Sequence, residues 1–295
     1  MSIFGHPVLD EWNEEGGYTL TDQGEVFFVE WPAEEDNDLD PVVIVHGYPT
    51  CSYDWRHVIP VLANRRHVVA VDLPGFGLSD KPDMRYSIRN YADAVEMVVD
   101  LLGFESVALI THDMGNTVGG ELLARDLVGE LPFGVSERVL TNGSIYIEMA
   151  QLTAGQQMLL EAPDERIEGV FTEDAFTAAL AAICSPTNQP DPADLAALWA
   201  FMAHNDGHTL LARTIRYIED RRAEEARFTG AIETHPSPLG VVWGALDPVA
   251  VYAMTERLID ARPDALLVTL DDVGHFPMLE APERLATAIA GLLRS

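Results

Sequence analysis

An α/β fold is predicted: a mostly parallel central sheet flanked by helices, with one long helical insertion. Three observations carry this expectation. Short β-branched runs, PVVIV from Pro41, HVVAV from His67 and SVALIT from Ser106, recur with helical patterns between them. These runs do not alternate polar with apolar residues, as expected of strands buried on both faces. The rhythm then breaks near Ile145 and resumes at Pro238.

Each element follows in order. PVVIVHG leads to a helix near Asp54 to Ala63, and HVVAVDLPG gives the next strand. The Gly and Pro spacing of DLPGFGLSDKP predicts a tight loop that supports this edge of the sheet without direct chemistry. A helix across Tyr86 to Leu102 precedes strand SVALITHD, and GNTVGGELLARDL carries small and apolar residues at helical spacing. RVLTNGS is the next strand. The segment from Ile145 to His235 is rich in Ala, Leu, Glu and Gln, with helical patterns DLAALWAFMAHN and HTLLARTIRYIEDRRA and Pro-containing breaks CSPTNQPDP and THPSP. PLGVVWGALDP and ALLVTLDD resume the sheet, and a helix from Pro282 to Leu293 closes the chain. The expected division is a core of residues 1–144 and 236–295 with a helical cap over 145–235.

Composition narrows the function. A chain of 295 residues, 47% hydrophobic, can bury a large core. Its 18 basic against 48 acidic residues leave a formal charge of −30, which argues against nucleic acid and anionic membranes as partners. Lys81 is the sole lysine. Cys51 and Cys184 stand far apart, suggesting neither a disulfide framework nor a zinc site. No secretion-signal pattern opens the sequence and no apolar stretch of about 18 residues follows, so a cytoplasmic location is expected. The chemistry below requires no metal or organic cofactor. A homodimer remains open.

The most informative stretch is LITHDMGNTVGGELL, where a buried strand meets a helix through a sharp turn with Asp113 at its tip. This is a nucleophile-elbow pattern in which Thr111 and Gly115 flank the centre. A carboxylate there would form an ester with an alkyl carbon. The plainer alternative for Asp113 is a helix N-cap. Two further residues follow in the chain order of a triad: Asp247 just past a buried strand, and His275 between the last strand and the last helix. A neutral imidazole at His275 would take a proton from water. The HGYP sequence would present the Tyr48 amide beside the Met114 amide as an oxyanion site, while His112 orients the elbow.

With HGYPTCSYDW, DLPGFGLSDKP, THDMG, LDPV and GHFPMLEAPE in order, the chain resembles the α/β-hydrolase group of epoxide hydrolases and haloalkane dehalogenases over nearly its whole length. It is also similar to the mesoderm-specific transcript relatives of that group in HGYPTCSYDW, HNDG and RYIEDR. Haloalkane dehalogenases usually carry a tryptophan after the nucleophile and often an asparagine after HG. Met114 and Tyr48 stand there instead, and methionine donates no hydrogen bond, although Trp199 could supply another indole. For epoxide opening the resemblance implies cap tyrosines. Tyr217 in RTIRYIEDRR matches one such tyrosine, with Tyr146 as a second candidate and His204 as a substitute. Trp199, Phe201 and Met202 suggest an apolar pocket, although their helical spacing equally suits core. The expectation is therefore an epoxide hydrolase acting with water on a small apolar epoxide. The alternatives are a dehalogenase with displaced halide donors and a non-catalytic ligand-binding or interaction protein.

Overall fold

A computed structural model describes residues 4–34 and 37–294. Among the described residues eight strands form one sheet: β1 (Gly16–Thr21), β2 (Gly24–Trp31), β3 (Val42–Val45), β4 (Val68–Val71), β5 (Ser106–Thr111), β6 (Gly134–Thr141), β7 (Leu239–Gly244) and β8 (Leu266–Leu270). Their spatial order is β1-β2-β4-β3-β5-β6-β7-β8. From β4 to β8 every pairing is parallel, whereas β1 pairs antiparallel with β2 and β2 with β4. The short strands β3 and β4 are Val/Ile/Ala runs buried at every position, so both of their faces are covered.

Helices Ile88–Leu101 and Met114–Leu127 pack side by side, as do Ile59–Ala63 and Pro282–Leu292. Ser87 caps the first of these by accepting a hydrogen bond from the Asn90 amide. One large apolar cluster runs through the sheet, its helices and much of the segment that joins β6 to β7. Among the described residues no helix is long and apolar enough to cross a membrane.

Only helical elements lie between β6 and β7. The pattern HTLLARTIRYIEDRRA does not form one helix. It divides into a 3-10 segment His204–Leu210, a short helix Leu211–Thr214 and a long helix Tyr217–Thr234. Asn205 and Asp206, at φ 49° and 56°, break the helix entering this segment. The Tyr217–Thr234 helix is itself kinked at Glu224 (φ −127°). Beyond the kink it packs on Met114–Leu127 so closely that a Cβ at Gly120 would lie 2.7 Å from the Phe228 carbonyl oxygen. Its second half therefore belongs to the layer that covers the sheet, and its first half to the insertion.

Candidate active site

The carboxyl ends of the parallel strands converge on one place, where open α/β sheets bind ligands. The β5 strand delivers Asp113 at φ 49° and ψ −114°, a conformation L-residues rarely adopt, directly before helix Met114–Leu127. The close crossing of β3 explains Gly115, since a Cβ there would sit 2.3 Å from the Val45 carbonyl oxygen. Thr111, where the elbow pattern usually has glycine, fits because its methyl faces Gly119, at which a Cβ would come within 2.9 Å of it.

Asp113 makes no capping hydrogen bond to its own helix. Its Oδ1 instead accepts the Tyr48 amide at 2.8 Å, and its Oδ2 lies 3.6 Å from His275 Nε2. The helix-cap alternative thus does not account for this side chain. The Met114 amide opens the helix and has no carbonyl one turn back to receive it. The HGYP loop is held from behind: His46 Nδ1 donates to the Gly47 carbonyl at 2.8 Å and Nε2 accepts the Leu73 amide at 3.0 Å. Asp72, from the DLPGFGLSDKP loop, accepts the Ser52 and Leu78 amides, both at 2.7 Å. That loop therefore supports the Tyr48 amide from a distance.

His275 Nδ1 lies 2.7 Å from Asp247 Oδ2. Asp247 uses its other oxygen as a turn residue, accepting the Val249 and Ala250 amides at 2.7 and 2.9 Å. Sequence reasoning missed two residues that hold this pair. Asn142, directly after β6, donates from Nδ2 to Asp247 Oδ2 at 2.8 Å while its Oδ1 accepts the Gly244 amide. The available signal was its place at the end of a buried strand, level with the other site residues. Glu280 brackets the histidine: its carboxylate accepts the amides of Gly274 and Ser185, each at 2.7 Å, and Phe276 at 2.8 Å. The His275 amide itself donates to the Ile183 carbonyl at 3.0 Å, so the insertion touches the loop that carries His275 at Ile183 and Ser185.

The charges follow from these contacts. Burial opposes ionisation of Asp113, but the His275 hydrogen bond and charge, with His112 and Arg221, hold its carboxyl well below the usual range. Burial alone would lower the His275 pKa, yet Asp247 and Asp113 raise it, so the imidazole is protonated while Asp113 is ionised. His112 is depressed to about 4, first by burial and then by the His275 charge. It stays neutral, with Nε2 donating to the His275 carbonyl at 2.8 Å, which places it as a support of both loops.

The four candidate residues of the insertion separate. Tyr217 is buried, its ring 5.8 Å from that of Tyr48, and burial together with the Asp113 charge keeps its phenol protonated. Tyr146 is displaced from the expected pocket role: its hydroxyl donates to Glu233 at 2.8 Å and Arg257 stacks on its ring. His204 is likewise not at the site, because the turn at Asn205 and Asp206 leaves its ring against Phe4, centroids 5.0 Å apart. Trp199 packs between Phe176 and His208 within the insertion.

A sheet of this order with an elbow, an acid after β7 and a histidine after β8 defines a class. The chain belongs to the α/β-hydrolase fold family, whose model matches residues 40–282. LipZ of Mycobacterium tuberculosis is 38% identical over 288 residues, covering 97% of this chain and 98% of that protein. The mesoderm-specific transcript homolog protein of Bos taurus is 32% identical over 303 residues, covering 98% and 89%. Among solved structures, a loop variant of the haloalkane dehalogenase DbeA from Bradyrhizobium elkanii superposes with a TM-score of 0.74 at 21% identity, covering 94% of this chain and 95% of that one. That likeness speaks to the fold alone.

Proposed function

We propose that the protein hydrolyses epoxides to vicinal diols through a covalent ester on Asp113. The observation that carries this reading is an ionised elbow carboxylate that caps nothing, has one oxygen fixed by the Tyr48 amide and faces His275 with the other. Oδ2 attacks an epoxide carbon and the ring carbon–oxygen bond breaks, with Tyr217 donating a proton to the departing oxygen. Oδ1 becomes the ester carbonyl oxygen, already seated on the Tyr48 amide, and the Met114 amide is the second donor this reading assigns to it.

Esterification removes the Asp113 charge, one of the two that raise the His275 pKa. The imidazolium can then release its proton, which balances the one taken up by the alkoxide through Tyr217. A neutral His275 is left, oriented by Asp247, to take a proton from the water that attacks the ester carbon. The tetrahedral intermediate collapses to the diol and restores the Asp113 carboxylate. A departing halide would find a methionine at 114, and the Tyr48 hydroxyl is turned to the Leu211 carbonyl at 3.4 Å, which favours the epoxide reading over the dehalogenase.

The test is His275→Asn exposed separately to panels of epoxides and haloalkanes, followed by intact mass and peptide mapping. An adduct on Asp113 of the whole epoxide mass is expected. An alkyl adduct formed with halide loss would replace the epoxide reading with the dehalogenase one. No adduct from either panel would overturn the covalent mechanism for both classes.

A further inference from the structure

Arg221 lies one helical turn beyond Tyr217 and is only 4% exposed. Its Nε donates to Thr117 Oγ1 at 2.8 Å, and its guanidinium carbon lies 5.0 Å from the Tyr217 ring centroid. Nη2 is buried and meets no hydrogen-bond acceptor, and the side chain enters no ion pair among the described residues. A guanidinium presents five N–H donors; Arg221 spends one on a neutral hydroxyl and feels the Asp113 charge only beyond ion-pair contact, so a bound anion would complete it. Arg221 also forms the wall of a cleft of about 350 Å³ with Arg222, Gln157 and the apolar Ile147, Leu152 and Ile218.

In a chain of net charge −30, two adjacent arginines on one cleft mark a place where an anion is not repelled. The anion has limited charge, because Glu225, which accepts the Ile147 amide at 3.0 Å, stands at the same edge. A monoanionic carboxylate on an apolar body matches both features, and the fork of Arg221 suits carboxylate geometry.

We propose that this cleft binds a carboxylate, paired with Arg221, whose apolar portion lies on Ile147, Leu152 and Ile218. Resting on the epoxide reading above, the substrates are epoxides that carry a carboxylate. Arg221 links the cleft to the site: it lines the cleft and lies over the Tyr217 ring, so on this reading the anionic end of such a molecule is one side chain away from the proton donor.

Two measurements on the full chain separate the two parts. In the first, octanoate and octanol are titrated calorimetrically into the wild type, Arg221→Gln and Arg221→Lys. Wild type is expected to bind octanoate and not octanol, Arg221→Gln to weaken octanoate at least tenfold, and Arg221→Lys to retain part of the affinity. Unchanged octanoate binding in a folded Arg221→Gln protein would overturn the site. The second compares kcat/KM for terminal epoxides ending in a carboxylate with that for their methyl esters. Arg221→Gln should lower the acid-to-ester ratio at least tenfold, mostly through KM. An equal loss on acid and ester would reduce Arg221 to a counter-charge for Asp113 and overturn the proposal. Arg221-dependent octanoate binding without turnover of either epoxide would uphold the carboxylate site and overturn the epoxide reading.

Discussion

Replacing Glu280 with Gln changes few atoms yet should cripple the second half of the proposed reaction. The carboxylate accepts three amides at 2.7–2.8 Å, two of them on either side of His275. Glutamine keeps one oxygen, so in either orientation its NH₂ group must face at least one N–H that it cannot accept. Leaving one buried amide unpaired costs about 1–3 kcal/mol, and turning charge-assisted bonds into neutral ones costs roughly 1 kcal/mol more. A loss of about 3 kcal/mol of stability follows. Because the strain falls on Gly274 and Phe276, the imidazole shifts, and a displacement near 1 Å can cost on the order of a hundredfold in rate. Ester formation depends on Asp113 and Tyr217 and should fall much less. Intact-mass sampling of the quenched reaction would show the Asp113 ester accumulating in Glu280→Gln and not in wild type, with a thermal melt reporting stability. A folded variant with wild-type turnover and no accumulated ester would refute the idea that Glu280 positions His275.

Two other predictions rest on the same contacts. Because the folded pKa of His112 lies near 4, below its unfolded value near 6.5, the unfolded chain binds the extra proton between those pH values. Its contribution, about 3 kcal/mol, is present above pH 6.5 and lost as pH falls towards 4, so urea denaturation should show His112→Gln losing less stability than wild type over that window. His275, whose pKa is raised, stays protonated in the folded state over that window, and its titration in the unfolded chain is common to both proteins. Gly115→Ala would drive a methyl to within 2.3 Å of the Val45 carbonyl oxygen and should cost about 3 kcal/mol or more with loss of turnover; an unshifted melting temperature would count against the close crossing.

Much of this molecule could be read from its residues because the relevant signals are local. β-branched runs gave the parallel strands, and the elbow, Asp247 and His275 announced themselves by position at strand ends in a fixed order. The β1–β2 hairpin escaped notice because its attachment depends on antiparallel pairing of β2 with β4, about 40 residues away. Asn142 and Glu280 were hidden for a related reason: each acts through backbone amides or a distant carboxylate, and neither residue type signals that task alone. Within the insertion, Tyr146 and His204 were assigned to a pocket by residue type. Side-chain direction there depends on how helices break and pack, and positive φ at Asn205 and Asp206 has no strong sequence mark without glycine.

The kink at Glu224 makes the Tyr217–Thr234 helix a lever whose fulcrum is the crossing of Phe228 over Gly120. From Phe228 back to Tyr217 the arm is about 16 Å, so a tilt of about 4° at the crossing would swing Tyr217 by roughly 1 Å relative to Asp113. Alignment of the proposed proton donor with the proposed nucleophile is thus set by a contact remote from both. For chimaeras that exchange the insertion between relatives, the consequence is a matter of where to cut. A junction at His235 would carry away a helix on which the sheet depends, whereas one at Glu224 would leave the fulcrum in place and replace only the arm.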